Sequence, residues 1–458
     1  MKSITRRRFV KASAASLAVP YIFTAEGAVA QETDDQKPTI GCIGVGGRGS
    51  GVSRWAQRFG RIVAVCDADM RHAEGFRNGA AKDADVYQDY RKVLERDDID
   101  VIIQGAPDHW HTKINVEALL SGKDVYGEKP LTLTVDEGKI LCDVVKKTGR
   151  IFQTGTMQRS DRRFQTAVEL VRNGRIGELK QVWVALPNYS TKGGPFAEEK
   201  IPESLDWDLY QGQAPDHYYT SYRTHQIFRW WYEYAGGIIT DWGNHHVDIA
   251  HWGMDCDNTG PVRVDARGLF PNEGKAECFN TPDRFFSRMT YASGIDVLYF
   301  SAINARRIYG RVEGNVETTP EQSKWLFGDD CPEEIPTYNR DGIMFIGDKG
   351  KVFVNRGGVY GKPVEELAEN PLPEDAWRVR PSTDHMGNFF DCIKSRETPV
   401  ASAEVEHRTI TSCHLTNISL RLNRPLTWNP ETETIEGDAE AAAMLSREPR
   451  KGYEIDMG

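Results

Sequence analysis

Apolar and polar positions follow two different rhythms along the chain. From residue 38 to about residue 157, short apolar runs rich in Val and Ile alternate with longer stretches of mixed polarity. The runs begin at Thr39, Arg61, Val101, Asp124 and Arg150. Two of the intervening stretches, TKINVEALLSG and TVDEGKILCDVVKKTG, each close on a glycine, as helices commonly do. Strands that alternate with helices predict a parallel, doubly wound α/β sheet of the Rossmann type.

The rhythm changes beyond about Met157. The runs there are longer and β-rich, as in LKQVWVALPNY, RFFSRMTYASGIDVLYFSA and GIMFIGDKGKVFVNRGGVY. Such runs predict a large open, mainly antiparallel sheet. From DHMGNFFDCIKS onward, the pattern indicates helices and a tail that pack back onto the body. We therefore predict a nucleotide-binding Rossmann domain over residues 38–157 and an α+β domain over residues 158–458.

The first thirty residues have the composition of a targeting segment. A basic head, TRRRFVK, precedes an apolar run from Ala12 to Phe23 and a small-residue stretch that ends at Ala30. The paired arginines followed by Phe9 and Lys11 resemble a twin-arginine export signal. We predict a signal peptide over residues 1–30, a polar linker over residues 31–37, and a periplasmic or exported protein. The apolar run is shorter than the ~20 residues that span a bilayer, so no stable membrane anchor is expected. An uncleaved amphipathic anchor is the alternative.

Charge and cysteine content narrow the function classes. Acidic residues outnumber basic ones, 67 to 57, and the formal net charge is −10. A chain this acidic is poorly suited to binding nucleic-acid backbones. Eight cysteines in an exported protein raise the question of disulfides. Most lie in apolar runs without a repeated spacing, which favours buried thiols, while Cys256, Cys278 and Cys331 stay open.

A glycine-rich turn follows the first predicted strand. Gly44, Gly46 and Gly49 form a G-x-G-x-x-G pattern that includes Arg48 and leads into a helix-like segment. Glycines in this context permit a tight turn and the close approach of a pyrophosphate to a helix N-terminus. Asp67 ends the second strand about 20 residues later, where an acid binds the adenosine ribose. Its charge would repel a 2′-phosphate, so we predict NAD rather than NADP. A glycine-rich turn without a ligand is the alternative.

A second motif, PDHWHTKINVEALLSGKDVYGEKPLTLT, resembles the Gfo/Idh/MocA oxidoreductases, which include glucose-fructose oxidoreductase and inositol dehydrogenase. The resemblance extends over essentially the whole chain after the predicted signal. It implies that Pro107, His111, Glu128 and Lys129 border the nicotinamide cofactor, with Lys129 also donating a hydrogen bond to a reacting hydroxyl. In this family the open sheet commonly pairs with another subunit, so a homodimer or homotetramer is expected.

The stretch DWGNHHVDIAHWGM carries a further family pattern, Asp-x-x-x-His followed by a second Asp. It consists of Asp241, His245 and Asp248, which one helix would present on one face. A metal bound by these three is one interpretation, and structural histidines are another, preferred for His251. We favour proton transfer, in which His245, oriented by Asp241, takes the hydroxyl proton while Lys129 holds the oxygen. No metal is predicted.

Aromatic residues surround this stretch and suggest a carbohydrate substrate. LDWDLYQG and FRWWYEYAGG contribute tryptophan and tyrosine faces that suit the C–H faces of sugars. The side chains predicted to bind substrate are Arg159, Arg229, Trp230, His246 and Asp248. The alternative for any one aromatic residue is the core of the second domain.

Three function classes follow from these features. The leading hypothesis is an exported NAD-dependent dehydrogenase that transfers hydride from a secondary hydroxyl of a sugar, glycoside or cyclitol to a tightly bound cofactor. The second is a related glycosidase that oxidises a sugar transiently, eliminates the leaving group and reduces the product. The lysine of Glu-Lys-Pro is generally absent from that branch, which counts against it here. The third, a binding protein without turnover, is disfavoured because Lys129, Asp241 and His245 are all present.

Overall fold

The computed structural model describes residues 37–189, 191–306 and 341–457, with the side chains of 188 and 302–306 left out. Its strands are β1 Thr39–Ile43, β2 Arg61–Cys66, β3 Asp85–Tyr87, β4 Val101–Gln104, β5 Asp124–Gly127, β6 Phe152–Thr154, β7 Leu179–Tyr189, β8 Pro261–Leu269, β9 Arg284–Tyr291, β10 Asp296–Arg306, β11 Gly342–Gly347, β12 Lys351–Asn355, β13 Gly358–Tyr360, β14 Leu426–Asn429 and β15 Thr434–Glu436. Its helices are α1 Gly47–Ala56, α2 Met70–Ala80, α3 Arg91–Leu94, α4 His111–Leu120, α5 Val135–Thr148, α6 Arg162–Arg172, α7 Trp207–Gln211, α8 Ile238–Asp241, α9 Gly243–Met254, α10 Lys362–Glu365, α11 His385–Ser395, α12 Ala403–Leu422 and α13 Ala439–Ala443.

The first sheet has six parallel strands in the order β3-β2-β1-β4-β5-β6. This is the Rossmann order, in which the chain starts at the centre and winds outward in both directions. The five strands expected from the apolar runs are present, so the predicted fold class is confirmed. Strand β3 was not predicted, because three residues at a sheet edge leave too short an apolar pattern to recognise.

The second sheet has nine strands in the order β13-β12-β11-β7-β10-β9-β8-β14-β15. Eight strand pairs join them, and all are antiparallel except β7 with β10, which is parallel. The prediction of a large, mainly antiparallel sheet is therefore confirmed. Helices cover one face of this sheet, since α9 contacts β7 and α12 contacts β8.

Each face of the parallel sheet is buried by a different part of the chain. One apolar cluster joins strand residues such as Ile40 and Ile103 to Met386, Phe389 and Phe390 of α11. The rings of Phe59 and Phe390 stack with centroids 5.2 Å apart. A larger cluster on the other face continues into the second sheet. The parallel sheet thus needs a helix that lies some 230 residues beyond its last strand in sequence.

Two further findings concern cysteines and membranes. All seven cysteines of the described residues are unpaired, and they include Cys256 and Cys278; Cys331 lies outside those residues. No described helix has the length and apolar composition to cross a membrane. The predicted signal peptide lies in residues 1–36, which the structure does not describe, as does most of the predicted linker.

Candidate functional site

A single cleft runs along the carboxyl ends of the central parallel strands, bounded on its other side by residues of the α+β region. Its volume is about 360 Å³, within the range of roughly 300 to 1,000 Å³ typical of small-molecule and cofactor sites. At one end, the cleft is lined by the glycine turn and by residues that follow β2. At the other, it is lined by charged side chains from several segments. We refer to these as the glycine end and the catalytic end.

The glycine turn is shaped for close backbone approach. Gly44 has φ +75°, and a Cβ built on it would lie 2.4 Å from the backbone nitrogen of Ala106. A Cβ on Gly49 would lie 1.7 Å from the carbonyl oxygen of Gly44. Gly49 therefore packs beneath the turn, while Gly44 and Gly46 line the cleft. Helix α1 begins at Gly47, so its free N–H groups face the space where a pyrophosphate would lie. The turn fits a dinucleotide.

Asp67 lines the glycine end as predicted. Its Oδ2 accepts hydrogen bonds from the backbone nitrogens of Val45 at 3.0 Å and Gly46 at 3.1 Å. His72 Nδ1 lies 3.4 Å from the same oxygen. The carboxylate thus fixes the glycine turn in addition to facing the cleft, a contact that the motif alone did not predict.

The remaining predicted cofactor residues surround the middle of the cleft. Pro107, His111, Glu128 and Arg48 all line it. Arg48 Nε donates a 2.8 Å hydrogen bond to Glu128 Oε1. The buried ring of His111 lies between two carbonyl oxygens, that of Pro130 at 2.5 Å and that of Ala106 at 2.9 Å. His111 therefore connects the turn after β4 to the turn that carries Lys129.

Lys129 and Asp241 form the centre of the catalytic end. The Lys129 ammonium donates to Asp241 Oδ1 and, at 2.9 Å, to the backbone oxygen of Asp241. Arg229 Nε donates to the same carboxylate oxygen at 3.2 Å. Burial alone would raise the pKa of Asp241, but the charges of Lys129 and Arg229 lower it well below its ordinary value. Asp241 is therefore a permanent anion that holds two cations at the cleft wall.

His245 lines the cleft, but Asp241 does not orient it as the sequence analysis expected. The helix is interrupted at Trp242, so Asp241 ends α8 and His245 lies in the first turn of α9. Two cations satisfy the Asp241 carboxylate, and His245 Nδ1 is buried without a hydrogen-bond partner in the described part of the chain. Burial, reinforced by the charge of Lys129, lowers the pKa of His245 well below its ordinary value. The imidazole is neutral at physiological pH.

Asp108 is a site residue that the sequence analysis quoted without assigning a role. It lines the catalytic end, although only 4% of its surface is exposed. Its Oδ2 has no hydrogen-bond partner among the described residues. Burial raises the pKa of Asp108 to about 7, and the negative charge of Asp241 adds to the rise while Arg229 and Lys129 oppose it. Its position in the Pro-Asp turn was the available signal.

Four of the five predicted substrate-binding residues do not line the cleft, Arg229 being the exception. Arg159 and Asp248 form a buried ion pair, with Nε and Oδ1 2.8 Å apart, and Arg159 also binds Asp257. The ring of His246 is buried against Gln158, and Trp230 packs on Tyr189. These four side chains are buried and make their contacts inside the α+β region rather than at the cleft. The one-face prediction placed Asp248 at the site because it assumed an unbroken helix from Asp241.

Two other residues reach the catalytic end from segments that carried no motif. Arg356 lies in the turn between β12 and β13, and Trp242 lies at the break between α8 and α9. The Arg356 guanidinium carbon lies 4.6 Å from the centroid of the Trp242 ring. More than a hundred residues separate the two, so no local spacing could have joined them.

A group of metal-ligand side chains occurs at the glycine end. One ligand atom from each of Asp69, His72 and His225 lies within 4.8 Å of the others. However, the Arg71 guanidinium already binds both oxygens of Asp69, with Nε to Oδ1 3.2 Å and Nη2 to Oδ2 2.7 Å. A guanidinium in this position disfavours a second cation. We interpret the cluster as a contact that closes this end of the cleft.

Family models match both halves of this architecture. The model described as an oxidoreductase family with an NAD-binding Rossmann fold matches residues 39–156. The model described as the C-terminal alpha/beta domain of the oxidoreductase family matches residues 178–304. Together they cover more than half of the chain. The protein belongs to the Gfo/Idh/MocA oxidoreductase family.

Similar curated proteins include glycosyl hydrolase family 109 proteins and inositol dehydrogenases. Glycosyl hydrolase family 109 protein 2 of Shewanella sp. (strain ANA-3) is 31% identical over 207 residues, which are 39% of this chain and 45% of that protein. The match therefore spans less than half of that relative. The scyllo-inositol 2-dehydrogenase (NAD(+)) of Bacillus subtilis (strain 168) is 28% identical over 316 residues, 69% of this chain and 73% of the relative.

Solved structures support the Gfo/Idh/MocA fold over most of the chain. The WlbA dehydrogenase of Chromobacterium violaceum, solved with NADH and UDP-GlcNAcA, matches with a TM-score of 0.60 and 15% identity. The match covers 88% of this chain and 99% of that one. At this identity, the likeness supports the fold alone.

Proposed function

We propose that the protein is an exported NAD-dependent dehydrogenase that oxidises a secondary hydroxyl of a sugar, glycoside or cyclitol. One observation carries the proposal. Lys129 and His245, a hydrogen-bond donor and a neutral base, line the same end of a cleft whose other end fits a dinucleotide. A bound nicotinamide supplies the hydride acceptor for such a reaction.

Lys129 is the residue that holds the reacting oxygen. An ammonium has three N–H donors, and Asp241 accepts two of them through Oδ1 and its backbone oxygen. The third donor is available to a substrate hydroxyl in the cleft. Because Arg229 and Asp241 fix the surrounding charge, the ammonium is positioned before substrate arrives. It stabilises the negative charge that develops on the oxygen.

His245 is the residue that accepts the hydroxyl proton. Its Nδ1 is buried, so proton exchange with the cleft falls to Nε2. Its depressed pKa keeps the ring neutral and therefore able to accept a proton. The same shift makes the protonated form short-lived, which favours onward release of the proton to water. In the opposite direction, the same two residues would return a proton to a ketone oxygen.

The glycine end favours a cofactor that stays bound. Residues 204–206 cross over the end of β2: Ser204 O accepts from Met70 N at 2.8 Å, and Asp206 N donates to Ala68 O at 3.0 Å. His225 lies against His72, with ring centroids 4.4 Å apart. A nucleotide beneath these contacts could leave only after they open. The Asp67 carboxylate beside it selects NAD over NADP by repelling a 2′-phosphate.

Location and assembly complete the proposal. The sequence of residues 1–30 supports twin-arginine export to the periplasm or beyond, where little free cofactor is available for exchange. Retention of NAD fits that setting. The nine-stranded sheet supports a homodimer or homotetramer as the assembled form. The relatives that act on inositol support a polyhydroxylated small-molecule substrate.

The test is to purify the protein without added cofactor, denature it, and identify any released nucleotide. The intact protein is then mixed with free sugars, cyclitols and glycosides while absorbance of reduced nicotinamide is followed. Released NAD and an absorbance change with a free sugar or cyclitol are expected. Absence of any nucleotide, together with no reaction when NAD is supplied, would reject the proposal.

A glycosidase that oxidises its substrate transiently is the second candidate. The similarity to glycosyl hydrolase family 109 proteins favours it, although those matches span 45% and 33% of the relatives. Lys129 counts against it. Cleavage of a glycoside without net formation of reduced cofactor would identify this reaction. A binding protein without turnover is disfavoured, because the donor and the base both face the cleft.

A further inference from the structure

Arg356 is a cation of the catalytic end for which no described residue supplies an ion-pair partner. The neighbouring cations that line the cleft are paired: Arg48, at the middle of the cleft, with Glu128, and Lys129 with Asp241. Arg229 also binds Asp241. With its acids neutralised in this way, the catalytic end keeps an excess of positive charge, although the chain as a whole is acidic.

The turn that carries Arg356 is rigidly built. Asn355 Oδ1 accepts hydrogen bonds from the backbone nitrogens of Gly357 at 2.8 Å and Gly358 at 3.2 Å. The backbone oxygen of Arg356 accepts a hydrogen bond from the Arg163 guanidinium. This short turn between β12 and β13 therefore presents the arginine from the edge of the large sheet in a fixed direction.

The guanidinium rests on the same groups that support His245. One of its faces stacks on Trp242, and its Nε donates a 3.1 Å hydrogen bond to Gln158 Oε1. Gln158 is buried and donates through Nε2 to the backbone oxygen of His245 at 2.9 Å. Arg356 and the proposed base are thus fixed relative to each other through one shared side chain.

The free part of the guanidinium suits a carboxylate. Because Nε is taken by Gln158, the edge formed by the two terminal nitrogens is left for a ligand, and that edge matches two carboxylate oxygens. Three carboxylates interact electrostatically with the Arg356 guanidinium: Asp341, Asp241 and Asp161. Asp241 binds Lys129, Asp161 binds Arg163, and Asp341 lies 3.7 Å from His246 Nε2. None of them forms an ion pair with Arg356.

We propose that Arg356 binds a carboxylate of the substrate, so that the enzyme acts on a sugar acid. The inference rests on the proposed dehydrogenase function and specifies its substrate class. The carboxylate on Arg356 holds the sugar so that a secondary hydroxyl lies between Lys129 and His245. A neutral sugar of the same ring stereochemistry lacks this anchor and binds more weakly.

The test compares matched neutral and acidic sugars: glucose with glucuronate, and galactose with galacturonate. Initial rates of nicotinamide reduction give kcat and KM, and calorimetry gives equilibrium binding without turnover. For the wild type, at least one acid is expected to have a KM about tenfold or more below that of its neutral partner. Arg356→Gln should raise KM for the acid by about 10- to 100-fold and change kcat by only a few fold. The KM of the neutral sugar, which forms no ion pair with Arg356, should change by a few fold at most. Arg356→Lys should be intermediate, because it keeps the charge and loses the paired donors.

Arg378→Gln is the control, since this exposed arginine lies outside the cleft and, among the described residues, donates to the backbone oxygens of Leu372 and Pro373. It should behave as the wild type. A wild type that prefers the neutral sugars, with an Arg356→Gln variant of equal KM, would overturn the carboxylate inference and leave the dehydrogenase intact. A preference for sugar phosphates over both sugar sets would also overturn it. Failure of all sugars to react or bind, with no nucleotide released, would count against the dehydrogenase itself.

Discussion

The two ends of the cleft are formed by different kinds of chemical group. At the glycine end, the chain uses backbone groups of one local motif, since Val45 and Gly46 of the turn both donate to Asp67, about 20 residues later. At the catalytic end, it uses charged side chains from distant segments, such as Lys129 after β5, Asp241 at the end of α8 and Arg356 from a hairpin. The glycine end depends on backbone shape, and a short sequence motif specifies it. The catalytic end depends on balanced charges, which come together only in the folded chain.

The largest effect is expected from Lys129→Met, which should remove catalysis at one end of the cleft without changing cofactor binding at the other. The variant nearly keeps the length of the side chain and removes the ammonium that lines the catalytic end. Turnover should fall by about 10³-fold or more, while the amount of nucleotide released on denaturation stays unchanged. Lys92→Met, at an exposed position, is the control. Unchanged turnover in the Lys129 variant would disprove its catalytic role.

Gly44→Ala is the converse change and should damage the glycine end. The new methyl group would meet the backbone of Ala106, and φ +75° is strained for any residue with a Cβ. We expect the affinity for NAD to fall by about 100-fold, measured by nucleotide titration of the emptied protein. Gly51→Ala is a matched control in α1, where a Cβ meets nothing within 4 Å. It should leave affinity intact, and equal affinities for the two variants would show that the turn does not contact the cofactor.

Asp108→Asn tests whether a buried carboxyl at the catalytic end lowers the free energy of unfolding as the pH rises. The folded pKa is about 7, above the ordinary ~3.9, so the folded state keeps a proton that the unfolded state has lost. Raising the pH from ~4 to ~7 therefore destabilises the wild type through this group. The variant should match the wild type at pH 4 and exceed it by about 1 to 3 kcal/mol at pH 8. Urea unfolding at the two pH values measures the difference; a pH-independent difference would contradict the buried, protonated carboxyl.

The smallest effect is expected from Asp67→Asn. The amide oxygen can still accept the hydrogen bonds from Val45 and Gly46, so the turn keeps its shape while the charge is lost. The preference for NAD over NADP should fall by about tenfold, because the repulsion of a 2′-phosphate is removed. Competition between the two nucleotides measures it. An unchanged preference would assign selectivity to other residues of this end.

Prediction from sequence succeeded where one segment decides the outcome. The alternation of strands and helices gave the parallel sheet, and the glycine turn and the Glu-Lys pair of Glu-Lys-Pro both line the cleft; their roles in binding the cofactor stay a prediction. It failed at Asp248, because the break at Trp242 ends the helical face, and at the Asp241–His245 pair, because two cations bind the carboxylate. Arg356 could not be predicted as a site residue from the sequence, since its hairpin reaches the cleft through the pairing of β11 with β7 and β12.

Helix α11 has a consequence for how this protein is made. The helix completes one face of the parallel sheet beside α1 and α2, yet it is synthesised long after β6. During translation, part of this apolar face therefore stays uncovered until residue 395 has left the ribosome. We expect the parallel sheet to finish folding only when the chain is nearly complete, and truncated chains that end before α11 to aggregate or to require a chaperone.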